Sequence, residues 1–104
     1  MKTMELVVHP AALKEFDRKV DYLRKNGLLP NTADLFVDEI GRALEQIRND
    51  PSKGRTVGTR NHYRVGPTAR FSYSLIYQIS GETIEVLAIA APQRRPGFWK
   101  KRRL

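Results

Sequence analysis

Phe71-Ser72-Tyr73-Ser74-Leu75-Ile76-Tyr77-Gln78-Ile79-Ser80-Gly81-Glu82-Thr83-Ile84-Glu85-Val86-Leu87-Ala88-Ile89-Ala90-Ala91 is the stretch that decides the fold. From Phe71 to Ile79 the side chains alternate. Phe71, Tyr73, Leu75, Tyr77 and Ile79 fall on one face, and Ser72, Ser74, Ile76 and Gln78 on the other. A period of two belongs to a β-strand, whose successive side chains point to opposite sides. Ser80-Gly81-Glu82 turns the chain and Thr83 to Ala91 follows as a second strand, so the stretch is a hairpin. The larger side chains are expected to face helices, leaving the Ser72/Ser74 face more open.

Working outward, His62-Tyr63-Arg64-Val65 is a strand ended by Gly66-Pro67, and residues 52 to 61 carry turn formers and read as a loop. Glu5-Leu6-Val7-Val8 is a short strand stopped by His9-Pro10. Pro10 suits the first turn of a helix, where a missing N–H costs nothing. Leu13, Phe16, Val20 and Leu23 then recur at spacings of three, four and three, the stripe of an amphipathic helix, with Lys14, Glu15, Asp17, Arg18 and Asp21 on the other side. Gly27 is placed to cap this helix in the left-handed conformation. Leu28-Leu29-Pro30 makes a turn, and Asn31 or Thr32 caps a second helix with the stripe Phe36, Ile40, Leu44 and Ile47, closed by Asn49-Asp50-Pro51.

Two helices with one apolar stripe each form a hairpin that must lie on something. The order β-α-α-β-β-β therefore predicts an α+β fold, a small antiparallel sheet with the N-terminal helical hairpin on one face. The 104 residues are expected to form a single domain, with residues 92–104 as a basic tail too rich in turns and charge to join the core.

Composition narrows the functional classes. There is no cysteine, which excludes disulfides and thiolate metal sites and fits a cytoplasmic protein. The N-terminus lacks a signal-peptide pattern, and no stretch approaches the roughly 18 apolar residues of a membrane span. The net charge of +8 is strongly segregated. Residues 1 to 50 carry eight Lys/Arg and nine Asp/Glu, whereas residues 51 to 104 carry eleven Lys/Arg and two Asp/Glu, Glu82 and Glu85. Such a balance describes a scaffold followed by a working face that attracts phosphate, an acidic protein or an anionic surface. Arg94 and Arg95, fixed between Pro92 and Pro96, suit phosphate or carboxylate recognition. Arg64 and Arg70, with Lys53, Arg55 and Arg60, are candidates to extend that surface, and Lys100 to Arg103 are candidates to prolong it. Phe98 and Trp99 are read either as a stacking or interface pair or as side chains that dock back on the sheet. His9 is read as structural, and His62 as either structural or functional. Paired catalytic carboxylates, a Ser-His-Asp triad and a phosphate-cradling glycine loop have no support.

This layout and four local patterns resemble the RelE/ParE toxin superfamily. The patterns are His9-Pro10-Ala11-Ala12; Ala43-Leu44-Glu45-Gln46-Ile47-Arg48-Asn49-Asp50-Pro51; the strand Phe71 to Ile79; and Val86-Leu87-Ala88-Ile89-Ala90 followed by Arg94-Arg95-Pro96-Gly97-Phe98-Trp99. The resemblance implies the toxin of a type II toxin–antitoxin system, without cofactor or metal, neutralised by a cognate antitoxin that is acidic or presents an apolar amphipathic helix. ParE-like members, including plasmid-stabilisation toxins, inhibit DNA gyrase without nuclease chemistry. RelE-like members cleave mRNA on the ribosome, a metal-independent reaction for which Arg94, Arg64 and His62 would be the catalytic candidates. Nuclease members place an arginine on the open face of the central strand. Ser74 stands at that position, and a serine supplies neither fixed charge nor a bidentate fork. The ParE-like reading is therefore the first expectation; the alternatives are the nuclease and a non-toxic binding module. Arg94, Arg95, Phe98, Trp99, Lys100, Lys101, Arg64 and Arg70 are its target-binding candidates.

Overall fold

The structure, a computed structural model, describes residues 4–27, 29–58 and 62–103. Leu28 of the inter-helix turn, Arg60 of the basic loop and Leu104 of the tail lie outside the described residues. The elements in order are β1 (Glu5–Val8), α1 (Pro10–Asn26), α2 (Thr32–Asn49), a short 3-10 turn at Pro51–Lys53, β2 (Arg55–Val57), β3 (His62–Val65), β4 (Ser74–Ser80) and β5 (Thr83–Ala90). They form one sheet, in the order β1-β5-β4-β3-β2. β2 to β5 make an antiparallel meander, and β1 joins its far side parallel to β5, with Leu6 opposite Ile84 and Val8 opposite Val86. The α+β architecture with a helical hairpin over the sheet is as the sequence predicts.

The local differences have physical reasons. Arg55–Val57 pairs with β3 as an edge strand inside the segment read as a loop. Three residues between Gly54 and Gly58 are too few to show a period, although Thr56 and Val57 suit a strand. β4 begins at Ser74, three residues later than its alternation suggests. Ser72 adopts φ 58°, and Tyr73 is held in a turn by Thr68, whose Oγ1 accepts the Tyr73 N–H at 3.0 Å. Gly27 is extended (φ −67°, ψ 137°) rather than left-handed; it is glycine because a Cβ there would run into the Leu23 carbonyl and Thr32. Neither expected side-chain cap forms on α2, where Thr32 Oγ1 instead donates to Leu29 C=O at 2.8 Å. On α1, His9 is the N-cap, its Nδ1 accepting the Ala11 N–H at 3.0 Å. Leu13 is 49% exposed, so the inward stripe is Ala12, Phe16, Val20 and Leu23.

Tyr73, Leu75 and Tyr77 face the helices with Ile84, Val86 and Ile89 of β5, as the hairpin's alternation predicts. Phe36 is the hub of this core. Its ring stacks on Phe16 (centroids 5.6 Å apart) and meets Phe71 and Tyr73 edge-on at 5.1 and 4.9 Å. One turn along α2, Glu39 accepts the backbone N–H groups of Arg70 and Phe71 at 2.9 and 2.8 Å and so ties the helix to the turn before β4. Burial pushes this carboxyl upward, but the hydrogen bonds from Thr68, Phe71 and Arg70 and the Arg70 charge outweigh it. The group ends below its ordinary value of 4.5.

Two outcomes follow from this packing. Phe36→Ala should cost about 3 to 5 kcal/mol, since a fully buried aromatic is removed from three ring contacts, as read by the midpoint of denaturant unfolding. A carboxylate held below its ordinary value contributes stability that is full above pH 4.5 and lost as pH falls through its folded value. Glu39→Gln should therefore flatten the acid limb of the stability profile, and an unchanged limb would place that acid sensitivity elsewhere.

Candidate functional site

The second core of the molecule lies on the opposite face of the sheet, where the tail was expected to stay clear. Trp99 is 6% exposed and packs on Ile76 and Ala88, with Val57 and Phe98 alongside. This corrects the reading of residues 92–104 as too basic for the core, and of the two readings of Phe98 and Trp99 it bears out the one that docks them back on the sheet. One indole among many cations buries enough apolar area to carry its neighbours onto the sheet. It covers the middle of the face expected to be more open, where Ser72 stays exposed and Ser74 and Gln78 partly so. His62, opposite Gln78 on β3, is buried beneath the indole with ring centroids 4.7 Å apart. Trp99 and His62 thus belong to packing, and neither offers a ring face to a partner.

What holds the tail in this path begins at the edge of β5. Val86 and Ala88 stand opposite Tyr77 and Ile76, so Leu87 is an extra residue, a bulge that switches which backbone groups face the outer edge. β1 has already ended, its last contribution being the His9 N–H to Val86 C=O at 2.8 Å. The next edge groups are met by side chains. Arg102 Nη1 donates to Leu87 C=O at 2.9 Å, and Glu15 Oε1 accepts the Ile89 N–H at 3.1 Å. Glu15 and Arg102 are themselves joined, Nη1 to Oε1 at 2.8 Å and Nη2 to Oε2 at 3.2 Å, a bidentate pair. Arg94 Nη1 adds a third contact to Oε2 at 3.1 Å.

Glu15 was read as part of the solvent face of α1, but its side chain is only 12% exposed. The signal for its burial was present. Ala12, Glu15, Phe16, Lys19, Val20 and Leu23 share one helix face, and an acid on an apolar stripe needs a cation. Arg102 was undistinguished within its basic run.

The other candidates divide accordingly. Arg94 is half-exposed, and its guanidinium lies 3.8 Å from the centroid of the Phe98 ring, which Arg102 approaches from 4.9 Å. Phe98 is thus covered by two cations. Arg95, Lys100 and Lys101 are exposed. Arg64 is half-buried on β3, and Arg70 is exposed in the turn held by Glu39. The chain end is fixed by His9, whose Nε2 lies 2.9 Å from Arg103 C=O. With Nδ1 accepting at the helix cap, Nε2 is the protonated nitrogen and the donor.

Beside the clamp, between α1 and the end of β5, is an open pocket of about 400 Å³ lined by Arg18, Lys19, Tyr22, Tyr73, Gln93 and Arg94. Burial, and then the Glu15 charge, push the Tyr73 phenol above its ordinary value, so it is a neutral hydrogen-bonding group. Among the described residues no group of three His, Cys, Asp or Glu could hold a metal ion, and no helix is long and apolar enough to cross a membrane.

The architecture is a two-helix hairpin over one face of a mixed sheet, with a basic tail held on the other. Residues 6–96 match the family model described as ParE toxin of type II toxin-antitoxin system, parDE, and the chain belongs to that family. Among solved structures, a chain from the "Chromosomal ParDE TA system from P. aeruginosa" aligns with a TM-score of 0.73 at 19% identity. The alignment covers 86% of this chain and 96% of that one. Comparison with curated protein sequences returned no match.

Glu15→Gln should cost about 2 to 3 kcal/mol, because two cations lose the charge they answer while a side-chain oxygen for the Ile89 N–H is kept. Trp99 is the sole tryptophan. Loosening of the tail should shift its emission to the red and raise its quenching by acrylamide. Wild-type stability and emission in the variant would deny the clamp its role.

Proposed function

We propose that this chain is a ParE-like toxin that binds and inhibits DNA gyrase without chemistry of its own, and that a cognate antitoxin holds it inactive. The observation that carries the reading is the match to the ParE toxin family over residues 6–96. The make-up of the central strand supports it. In-line cleavage of RNA needs a group to take the 2′-hydroxyl proton and fixed cations at the same phosphate. Here the central strand offers Ser74 and Ile76, while Trp99 covers Ile76 and His62. Binding is then the work of the exposed surface, with Arg94, Arg95, Lys100, Lys101, Arg64 and Arg70 as its cations.

The basic half favours an antitoxin with an acidic segment, since complementary potentials speed capture and fix orientation. The exposed Leu13, Tyr22, Leu29 and Val37 of the helical hairpin offer the apolar contacts an amphipathic helix uses.

Purified toxin should inhibit gyrase supercoiling in a dose-dependent way, with accumulation of cleaved DNA, and the neighbouring gene's product should reverse both effects. Translated mRNA should stay intact. Full supercoiling at large toxin excess, together with ribosome-dependent mRNA cleavage, would replace this reading with the RelE-like one.

A further inference from the structure

The cations of the basic half fall into two sets. Arg94 and Arg102 are answered by Glu15. Arg55 and Arg64 stand directly opposite each other on β2 and β3, and Arg64 is in register with Ile76, which puts both arginines on the Trp99 side of the sheet. Side chains so opposed have Cβ atoms roughly 5 Å apart, and like charges there repel unless a counter-charge joins them. Among the described residues neither arginine has an acidic partner. The only acids beyond residue 50 are Glu85, which accepts from Gln78 Nε2, and Glu82, in the turn beyond the end of β4.

A third cation converges on the same place. The stem of Lys100 lies across Gly97, where a Cβ would stand 2.9 Å from Lys100 Cε and 3.3 Å from Nζ. Arg64 and Lys100 line a groove of about 240 Å³, with Val57, Ile76 and Trp99 contributing its apolar wall. Arg95, Lys101 and Arg103 are exposed on the adjoining tail. The result is a concavity with positive walls and, among the described residues that line it, no anion.

We propose that this groove, between Arg64 and Lys100 with Arg55 beside it, binds the backbone of duplex DNA, each of the three cations meeting its own phosphate. The choice of duplex comes from the aromatics. Proteins that hold single strands stack the bases on exposed rings. Trp99 is buried here, and both guanidiniums of the clamp cover Phe98. Fixed cations without a stacking platform suit a partner whose phosphates are regularly spaced and whose bases stay paired. The contact is independent of sequence and of whichever enzyme the toxin acts on, so it is measured on DNA alone.

The experiment is a salt series of fluorescence anisotropy with a labelled mixed-sequence duplex, comparing wild type, Arg64→Ala/Lys100→Ala, and Lys14→Ala/Arg24→Ala. The last pair removes the same charge from the exposed side of α1. Three phosphate contacts predict a slope of log K against log salt near −3. The groove pair should lose about two units of that slope and at least about tenfold in affinity at low salt, with Trp99 emission unchanged. The α1 pair should follow wild type. A single strand of the same sequence should bind more weakly, and inorganic phosphate should compete only in large excess.

Four results would overturn the proposal: no duplex binding by wild type at low salt; equal losses in the two paired variants, which would mean attraction by net charge alone; tighter binding of the single strand; or competition by phosphate at concentrations comparable to the duplex. A gyrase result of either sign leaves these outcomes untouched.

Discussion

β1 ends at Val8 while β5 runs on to Ala90, and the backbone left bare along that difference is where the rest of the molecule is tied together. An unpaired strand edge invites foreign pairing, and a polar backbone group buried without a partner costs about 1 to 3 kcal/mol. The chain meets both problems with side chains. Glu15 accepts the free N–H of Ile89, Arg102 donates to the free C=O of Leu87, and the two close on each other. Neither charge would be stable at that depth alone. The bulge at Leu87 makes the arrangement possible, because it presents a carbonyl and an amide to the same edge. Once Arg102 is fixed there, Trp99, three residues earlier, reaches Ile76 and Ala88, and Phe98 is enclosed between Arg94 and Arg102.

The legibility of the sequence followed the length of the periodic signal. The alternation through β4 and the apolar stripe of α2 extend over several periods, and the faces they predict are the ones observed. β2 has three residues and no period, so its edge pairing with β3 was hidden. Leu13 has the right spacing for the stripe of α1, but that stripe turns toward Ala12, and spacing alone does not choose between adjacent rows of a helix. Tail residues were harder still. Their composition says surface, and only the contacts of Trp99 say otherwise. Glu15 lay between these extremes, since its place on the apolar face was readable while its partner, some 80 residues away, could not be told from the other cations.

Charge segregation along the chain is partly undone by folding. Glu15 belongs to the balanced half, yet it pairs with two of the tail's cations and offsets one of their charges, so the basic surface is smaller than the sequence count implies. What remains is positive and poor in acids. Arg55 faces Arg64, and Lys100 lies along Gly97. Among the described residues no carboxylate pairs with these arginines, and the sheet register fixes their backbones opposite each other, so the surface keeps its field. Repulsion that serves no packing purpose is a local conflict in an otherwise consistent fold, and conflicts of that kind collect at sites that meet a partner.

The tail is held by contacts of different physical origin: apolar burial at Trp99, a bidentate ion pair at Arg102, and a hydrogen bond from His9 to the carbonyl of Arg103. Salt weakens the ion pair and strengthens apolar burial, so added salt alone does not release all three together. His9 joins this end of the chain to the start of α1, with one ring nitrogen at the helix cap and the other on the tail. The basic segment is therefore part of the fold and not an appendage to it, which divides its residues by what a substitution reports. Trp99, Arg102 and Glu15 hold the tail on the sheet, so substituting them reports first on its packing. Arg95, Lys100 and Lys101 are exposed and bear no part of that framework, so their charges are free to act on whatever the toxin meets.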